Sequence, residues 1–402
     1  MAPSDAKGPL DGVLVLDLSR ILAGPTATQM LGDLGATVLK IENPKSGGDD
    51  TRAWGPPYAE TPDGASDLSA YFMSSNRNKY SIEADLSSEA GRALVKAIAA
   101  EADVVIENYK VGGLTKYGLD HETLCAEFPH LVYCSISGFG QTGPNASRPG
   151  YDLMAQGFGG IMSITGAPDG PPMKVGLGIA DVMCGMYATI GMLSALRHRD
   201  ATGEGQHIEL GLVDTQMAWL INEGVNFLTS GKEPTRRGNA HPNIVPYETF
   251  QTADGHVLIA VGNDGQFQRF CEALGRQDLA QDPRFVTNPL RIENRDELIP
   301  ALVETIREIP TAEVLQKLED AGVPVGPIHT IGQALRSDQA AARGSVIEMA
   351  HAETTQGRVE LLGNPLKFSK TPVSYRMPPP RFGQDTASLE AILANHRKSR
   401  QK

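Results

Sequence analysis

Asp181 is the residue whose type and surroundings best suit it to chemistry. It heads an apolar helical run and follows the glycine-rich stretch VGLGIA at 175–180. A carboxylate in that place has two readings. It can cap the helix by accepting a backbone N–H, a role for which Asp is among the favoured residues. It can also be a nucleophile, since Asp is ionised at pH 7 and needs no base to activate it. Such a nucleophile is useful only against an activated acyl or phosphoryl group. Gly176, Gly178 and Gly185 flank it and would let a bulky substrate come close to the backbone.

Two other sets could assist. The glycine-rich turns at 138–143, 157–160 and 166–170 could present N–H donors to an oxyanion, or could simply be turns and close packing. Arg20, Lys40, Arg52, Arg77, Lys79, Lys110, Lys116 and Arg148 lie mostly at expected strand ends or in the loops beside them. Together they could form a phosphate site in an otherwise acidic protein. Taken singly, each could be solvated surface. The nine histidines are scattered. The loop after the first strand reads RILAGP rather than GxGxxG, and no P-loop, GxSxG or HExxH occurs.

The elements that must hold these residues read as alternating strands and helices. Strands are expected at Val13–Leu18, Ala36–Glu42, Ser81–Leu86, Asp103–Asn108 and Leu131–Ser137. Helices are expected from Pro25 to Leu34, from Ser88 to Ala102 and from Asp181 to Arg199, the first punctuated by Pro25 and Gly35. This order implies an α/β fold with a mostly parallel sheet covered on both faces. Ligands then bind at the carboxyl ends of the strands. The polar, Pro- and Gly-punctuated segment Thr229–Pro246 reads as a linker. Three blocks follow: a large domain over 1–228, a smaller α/β domain over 229–328, and a return to the large domain over 329–402.

Composition narrows the class. The 402 residues allow two or three domains. Lys and Arg number 36 against 48 Asp and Glu, a net charge of −12, which argues against a nucleic-acid partner. The most apolar run, Val182–Leu196, has 15 residues, short of the roughly 20 needed to span a bilayer. The opening MAPSDAKGPLDG has no signal-peptide core, and the closing SRQK is no peroxisomal address. Cys125, Cys134, Cys184 and Cys271 are widely spaced, which suggests free thiols and a cytoplasmic setting.

Eight blocks in order then resemble the class III CoA transferases, the formyl-CoA and carnitine-type family, from about Leu10 to about Gly383. They include LDGVLVLDLSRILAGPTATQMLGDLGATVLKIENP at 10–44, GGDDTRAWGPP at 47–57, NRNKYSIEADL at 76–86 and ADVVIENYKVGGLTKYGL at 102–119. RPGYDLMAQGFGGIMSITG at 148–166 and VGLGIADVMCG at 175–185 continue the series. The resemblance implies a Rossmann-like large domain built from both chain ends, a small domain, and two chains interlocked as rings in a homodimer. It implies no metal or nicotinamide, with coenzyme A as cosubstrate. The family's catalytic aspartate falls on Asp181. The implied reaction passes CoA from an acyl-CoA to a free acid through aspartyl anhydrides and an aspartyl-CoA thioester.

By position, the resemblance also places Arg20, Ile21, Leu22, Ala23, Asn43, Asn108, Lys116 and Tyr151 in the CoA-binding set. Asn43 stands where some relatives carry Arg. Leu22 stands where the formyl-CoA enzymes carry a Gln near the thioester, which disfavours formate and oxalate. The segment TRRGNAHPNIVPYETF at 235–250, with GDDTRAWGPP, is more like the branch that uses dicarboxylates such as glutarate and succinate. Arg236, Arg237 or His241 would hold the distal carboxylate. The same fold hosts α-methylacyl-CoA racemases, but these resemble GHD where this chain has Gly150, Tyr151 and Asp152. Tyr, with a pKa near 10, is a poor base at neutral pH. A non-catalytic CoA-binding protein is a further alternative, against which the intact Asp181 and its glycines argue.

Overall fold

A computed structural model of the chain describes residues 8–400 except 63 and 65. The leader reading of residues 1–7 and the last two residues of SRQK lie outside the described residues. The chain divides into two compact units. One comprises the described residues up to Met162, Lys174–Lys232 and the described residues from Gln339 onward. The other comprises Ser163–Met173 and Glu233–Asp338. The sequence reading put boundaries at 229 and 328 and had no counterpart for the 163–173 excursion.

The first unit is built on six parallel strands: β1 (Leu14–Asp17), β2 (Thr37–Glu42), β3 (Lys79–Glu83), β4 (Val104–Glu107), β5 (Val132–Ser137) and β6 (His207–Gly211). Their order across the sheet is β3-β2-β1-β4-β5-β6. This is a doubly wound arrangement, whose strand order reverses between β1 and β4 and opens a crevice there. β1 and β4 are buried at every position, as strands covered on both faces must be.

The pleat sends alternate residues to opposite faces. Val15, Val104 and Ile106 meet Ala27 and Leu31 of α1 (Ala23–Asp33), together with Ala180, Cys184 and Met192 of a long helix on that face. Leu14, Leu16 and Val105 meet the other face. There they pack with Val95 and Ile98 of α2 (Glu89–Ala99), Leu124 of α3 (His121–Glu127) and Ile392 of the C-terminal helix Leu389–Ser399. That helix also pairs Arg397 with Glu101 at 2.7 Å.

Three more helices of this unit matter for the site. They are α4 (Asp152–Phe158), α5 (Ile179–Thr202), which is the long helix just mentioned, and α6 (Leu212–Ala218) after β6. α5 has 24 residues, longer than the sequence reading made it, and is long and apolar enough to cross a membrane by length and composition alone. Half of its most apolar window is buried within the chain. It ends at Gly203, whose φ of 81° is a left-handed stop. α7 (Ile221–Ser230) follows α6.

The second unit holds an antiparallel sheet of Tyr247–Gln251, His256–Ala260 and Val325–Pro327. Helices including Asp264–Ala273, Arg295–Ile306 and Thr311–Asp320 pack on it around Phe250, Phe267, Phe270 and Leu302. The fully buried Arg291 donates to the carbonyls of Val245 and Phe285 at 2.7 and 2.9 Å and to Asp264 at 2.8 Å, so its charge is compensated. All four cysteines are free thiols.

Candidate active site

Asp181 is the third residue of α5, not its cap. Gly178 occupies the cap position without a side-chain bond, and the capping is done from elsewhere. Asp152, at the start of α4, accepts the Ala180 N–H through Oδ1 at 2.8 Å. Its Oδ2 accepts from Gln156 Nε2 at 2.6 Å. Gln156 is fully buried and also accepts the Val175 N–H at 2.8 Å while donating to the Leu177 carbonyl at 3.3 Å. One turn of α4 therefore anchors both the VGL stretch and the first turn of α5. The capping interpretation of Asp181 fails because the carboxylate of Asp152 already holds that end of the helix.

Asp181 itself is 9% exposed, and no hydrogen bond from the described residues reaches its carboxylate. Burial pushes its pKa up to about 7, and the charge of Asp152 adds to the rise. The view of Asp181 as simply ionised at pH 7 is thereby corrected. Low solvation makes it a mixture of acid and carboxylate there, and makes the carboxylate more reactive than one in water. Tyr71 lies in the same field. Its pKa is pushed up to about 12 by burial and then by Asp181, Asp152 and Asp49, so it stays protonated. Its ring meets Trp54 edge-on with centroids 5.0 Å apart. Tyr71, Gln156 and the role of Asp152 escaped the sequence reading, because only folding brings them to Asp181.

The loop from β1 to α1 lies along the Asp181 face of α5. Gly178 and Gly185 stand three residues before and four after Asp181, which puts all three on one side of the helix. A Cβ on Gly178 would sit 3.1 Å from the Leu22 side chain, and one on Gly185 would sit 2.6 Å from the Ala23 carbonyl oxygen. Leu22 and Ala23 are thus brought to the site. Asn108, after β4, pairs with Arg20 across the crevice between β1 and β4. Its Oδ1 accepts the Arg20 N–H at 2.9 Å, and its Nδ2 donates to the Arg20 carbonyl at 2.7 Å. Its amide therefore shapes the loop.

The remaining positions are more dispersed. Arg20 pairs with Asp50 at 2.8 Å. Asn43 is exposed and accepts the Lys45 N–H at 3.0 Å, forming the turn after β2. Lys116 is exposed, with its ammonium 4.7 Å from the Tyr117 ring centre. Tyr151, 61% exposed, precedes α4. A pocket of about 450 Å3 opens beside Lys110, Gly112 and Gly113, against Glu107, Ser135 and His207. Arg236, Arg237 and His241 belong to the second unit. Arg236 donates to the Gly170 carbonyl at 2.8 Å, Arg237 to the Thr235 carbonyl at 3.2 Å, and His241 accepts the Asn243 N–H at 3.1 Å.

The basic set divides into two. Lys40, Arg52, Arg77 and Lys79 are buried, paired with Asp49, Glu42, Asp33 and Asp17 at 2.8, 2.6, 2.5 and 3.3 Å. They cannot meet a phosphate without leaving a buried acid unpaired. Arg20, Lys110, Lys116 and Arg148 remain exposed for an anion. The glycine turns also have packing reasons. Gly138 and Gly150 touch backbone to backbone, and Gly159 lies against Gln216, so a Cβ at any of the three would overlap a neighbour.

Comparison with known proteins agrees with this architecture. The family model described as CoA-transferase family III matches residues 10–386. The chain is 47% identical over 387 residues to a succinate–glutarate CoA-transferase of Agrobacterium fabrum, covering 96% of each. It is 42% identical over 385 residues to the succinyl-CoA:glutarate CoA-transferase of Mus musculus, covering 96% of this chain and 86% of that one. The crystal structure of a CAIB/BAIF family protein from Brucella suis superposes with a TM-score of 0.85 at 48% identity, covering 96% of this chain and all of that one. The chain belongs to CoA-transferase family III and is a CoA transferase.

Proposed function

We propose that this enzyme moves CoA from succinyl-CoA to a dicarboxylate such as glutarate, with Asp181 as the nucleophile. The observation that carries the reading is a buried carboxylate with no hydrogen bond from the described residues, on the helix face that meets the β1–α1 loop. The names of the Agrobacterium and mouse relatives support the substrate pair.

Asp181 attacks the thioester carbonyl, the C–S bond breaks, and CoA leaves as thiolate from a mixed anhydride. The thiolate attacks the aspartyl carbonyl, which forms aspartyl-CoA and releases succinate. The acceptor's carboxylate attacks aspartyl-CoA, giving a second anhydride and free thiolate. The thiolate then attacks the acceptor acyl carbon, forming the new thioester and restoring Asp181. The Ala23 and Gly24 N–H groups, at the first turn of α1, have no partner within their helix and can stabilise the oxyanions. Low water access protects the anhydrides. Arg20, Lys110 and Lys116 supply the positive charge for the phosphates of CoA, and coenzyme A comes and goes as cosubstrate.

We also assign a homodimer. One side of α5 exposes Met186, Tyr187 and Ile190, and α7 exposes Ile221, Val225 and Leu228 at helical spacing. Apolar surface of this kind on a chain of charge −12 supports cover by a second copy.

Intact-protein mass spectrometry after incubation with succinyl-CoA tests the chemistry. Wild type should gain a hydroxylamine-labile CoA adduct on the Asp181 peptide, Asp181→Asn should gain none, and glutarate should discharge it. An equal adduct on both proteins would refute the nucleophile assignment. Sedimentation of Ile190→Glu beside wild type tests the dimer.

A further inference from the structure

We propose that Asp49 is a positioning residue for CoA transfer, holding the Ile21 N–H so that the β1–α1 loop lies along the Asp181 face of α5. The backbone of this loop is unusual. Ile21 has a φ of 73°, a left-handed conformation that a β-branched residue adopts only under constraint. Its N–H points to both oxygens of Asp49, at 3.2 and 3.3 Å. The residues on either side are fixed separately. Asn108 clamps both backbone groups of Arg20, at 2.9 and 2.7 Å, and Lys40 donates to the Ser19 carbonyl at 2.9 Å.

Asp49 is itself immobilised. It is buried, accepts from Lys40 Nζ at 2.8 Å, and receives the Thr51 N–H and hydroxyl at 3.0 and 2.8 Å. Its own N–H donates to Glu42 at 2.8 Å, which ties it to the end of β2. A rigid acid in the loop after β2 thus sets the backbone that leaves β1. If Ile21 relaxed to negative φ, the chain would turn differently into Leu22 and Ala23. Leu22 lies against Gly178 and Ala23 against Gly185, the glycines on either side of Asp181.

This proposal rests on the transfer reading, and the variants separate the two. Wild-type turnover of succinyl-CoA with glutarate tests that reading. Hydrogen exchange of the amides at 19–24 tests Asp49 whether or not turnover is seen. Asp49→Asn should lower kcat about tenfold or more, with the KM for succinyl-CoA moving less than about threefold, and should speed exchange at 19–24. Adding Ile21→Gly should restore part of the lost kcat, because glycine takes positive φ without strain.

Ile21→Pro keeps the Lys40–Asp49 pair but removes the N–H and forbids the left-handed φ. It should lose kcat about tenfold while its melting temperature stays near that of wild type, and it decides the matter if Asp49→Asn does not fold. Overturning results would be unchanged exchange at 19–24 in folded Asp49→Asn, or kcat of either single variant within about twofold of an active wild type. A slow Asp49→Asn that gains nothing from Ile21→Gly would also overturn it, since Asp49 would then act only as the partner of Lys40.

Discussion

Asp152 caps the helix that carries Asp181 and also raises the pKa of Asp181, so one carboxylate both places and tunes the other. The capping bond fixes the first turn of α5, and the like charge disfavours ionisation at the third residue of that helix. Two neighbouring acids in unequal surroundings are a recurring way to set different protonation states at one pH.

Asp152→Asn keeps an oxygen to accept the Ala180 N–H and removes the charge. Wild-type kcat/KM for CoA transfer should fall as the pH drops below about 7, where Asp181 takes up its proton. In Asp152→Asn that acid limb should move to lower pH, because burial alone then raises the pKa. A pH–rate profile of both proteins reads the displacement, and an unmoved limb would detach Asp152 from the titration.

Stability should respond in the opposite sense to activity. Folding raises the pKa of Asp181 from 3.8 to about 7, so the folded chain holds a proton that the unfolded chain has released. Its contribution to stability is present below the unfolded pKa and declines as pH rises through the window between the two values. Asp181→Asn escapes this loss. At pH 8 it should be more stable than wild type by up to about 4 kcal/mol, with the gap closing toward pH 4. Thermal melts at the two pH values measure it.

Gln156→Leu should disable the site through its support. It removes the partner of the Val175 N–H and of the Leu177 carbonyl and the donor to Asp152 Oδ2, while Asp152 keeps its bond from the Ala180 N–H. Val175 is half-buried and Leu177 exposed, so water replaces part of what is lost, and a total of about 1–3 kcal/mol is expected. Denaturant titration should show the loss, and kcat should fall because the first turn of α5 is no longer braced.

Gly185→Ala tests the contact between α1 and α5. The new methyl would lie 2.6 Å from the Ala23 carbonyl oxygen and 3.0 Å from Thr26 Cβ, so the helices must part. The expected cost is about 1–3 kcal/mol, with lower kcat because α1 begins at the Asp181 face. Gly176→Ala, which meets nothing within 4 Å, is the matched control for stability.

Much of this was readable along the chain. The apolar runs at β1, β2, β4 and β5 and the punctuation of α1 by Pro25 and Gly35 are signals contained within about ten residues. They marked the parallel α/β fold before any contact was known. The ordered blocks around Asp181 marked the family. Element ends were less readable: α5 begins at Ile179 rather than Asp181 because its cap comes from Asp152, far away in sequence. Cations misled for a related reason. Lys40, Arg52, Arg77 and Lys79 look like loop cations in a linear reading. Their acidic partners lie 9, 10, 44 and 62 positions away, and that separation conceals the pairing.

The sequence by itself determined five strands of the sheet and three of its helices, since periodicity is a local property of the chain, and its ordered blocks carried the family resemblance with Asp181 as the candidate nucleophile. Only the tertiary structure decided that Asp181 is buried beside a second carboxylate, that Ile21 is bent into a left-handed turn, and which basic residues stay exposed. Those outcomes depend on desolvation and on partners distant in sequence, which exist only once the sheet has assembled.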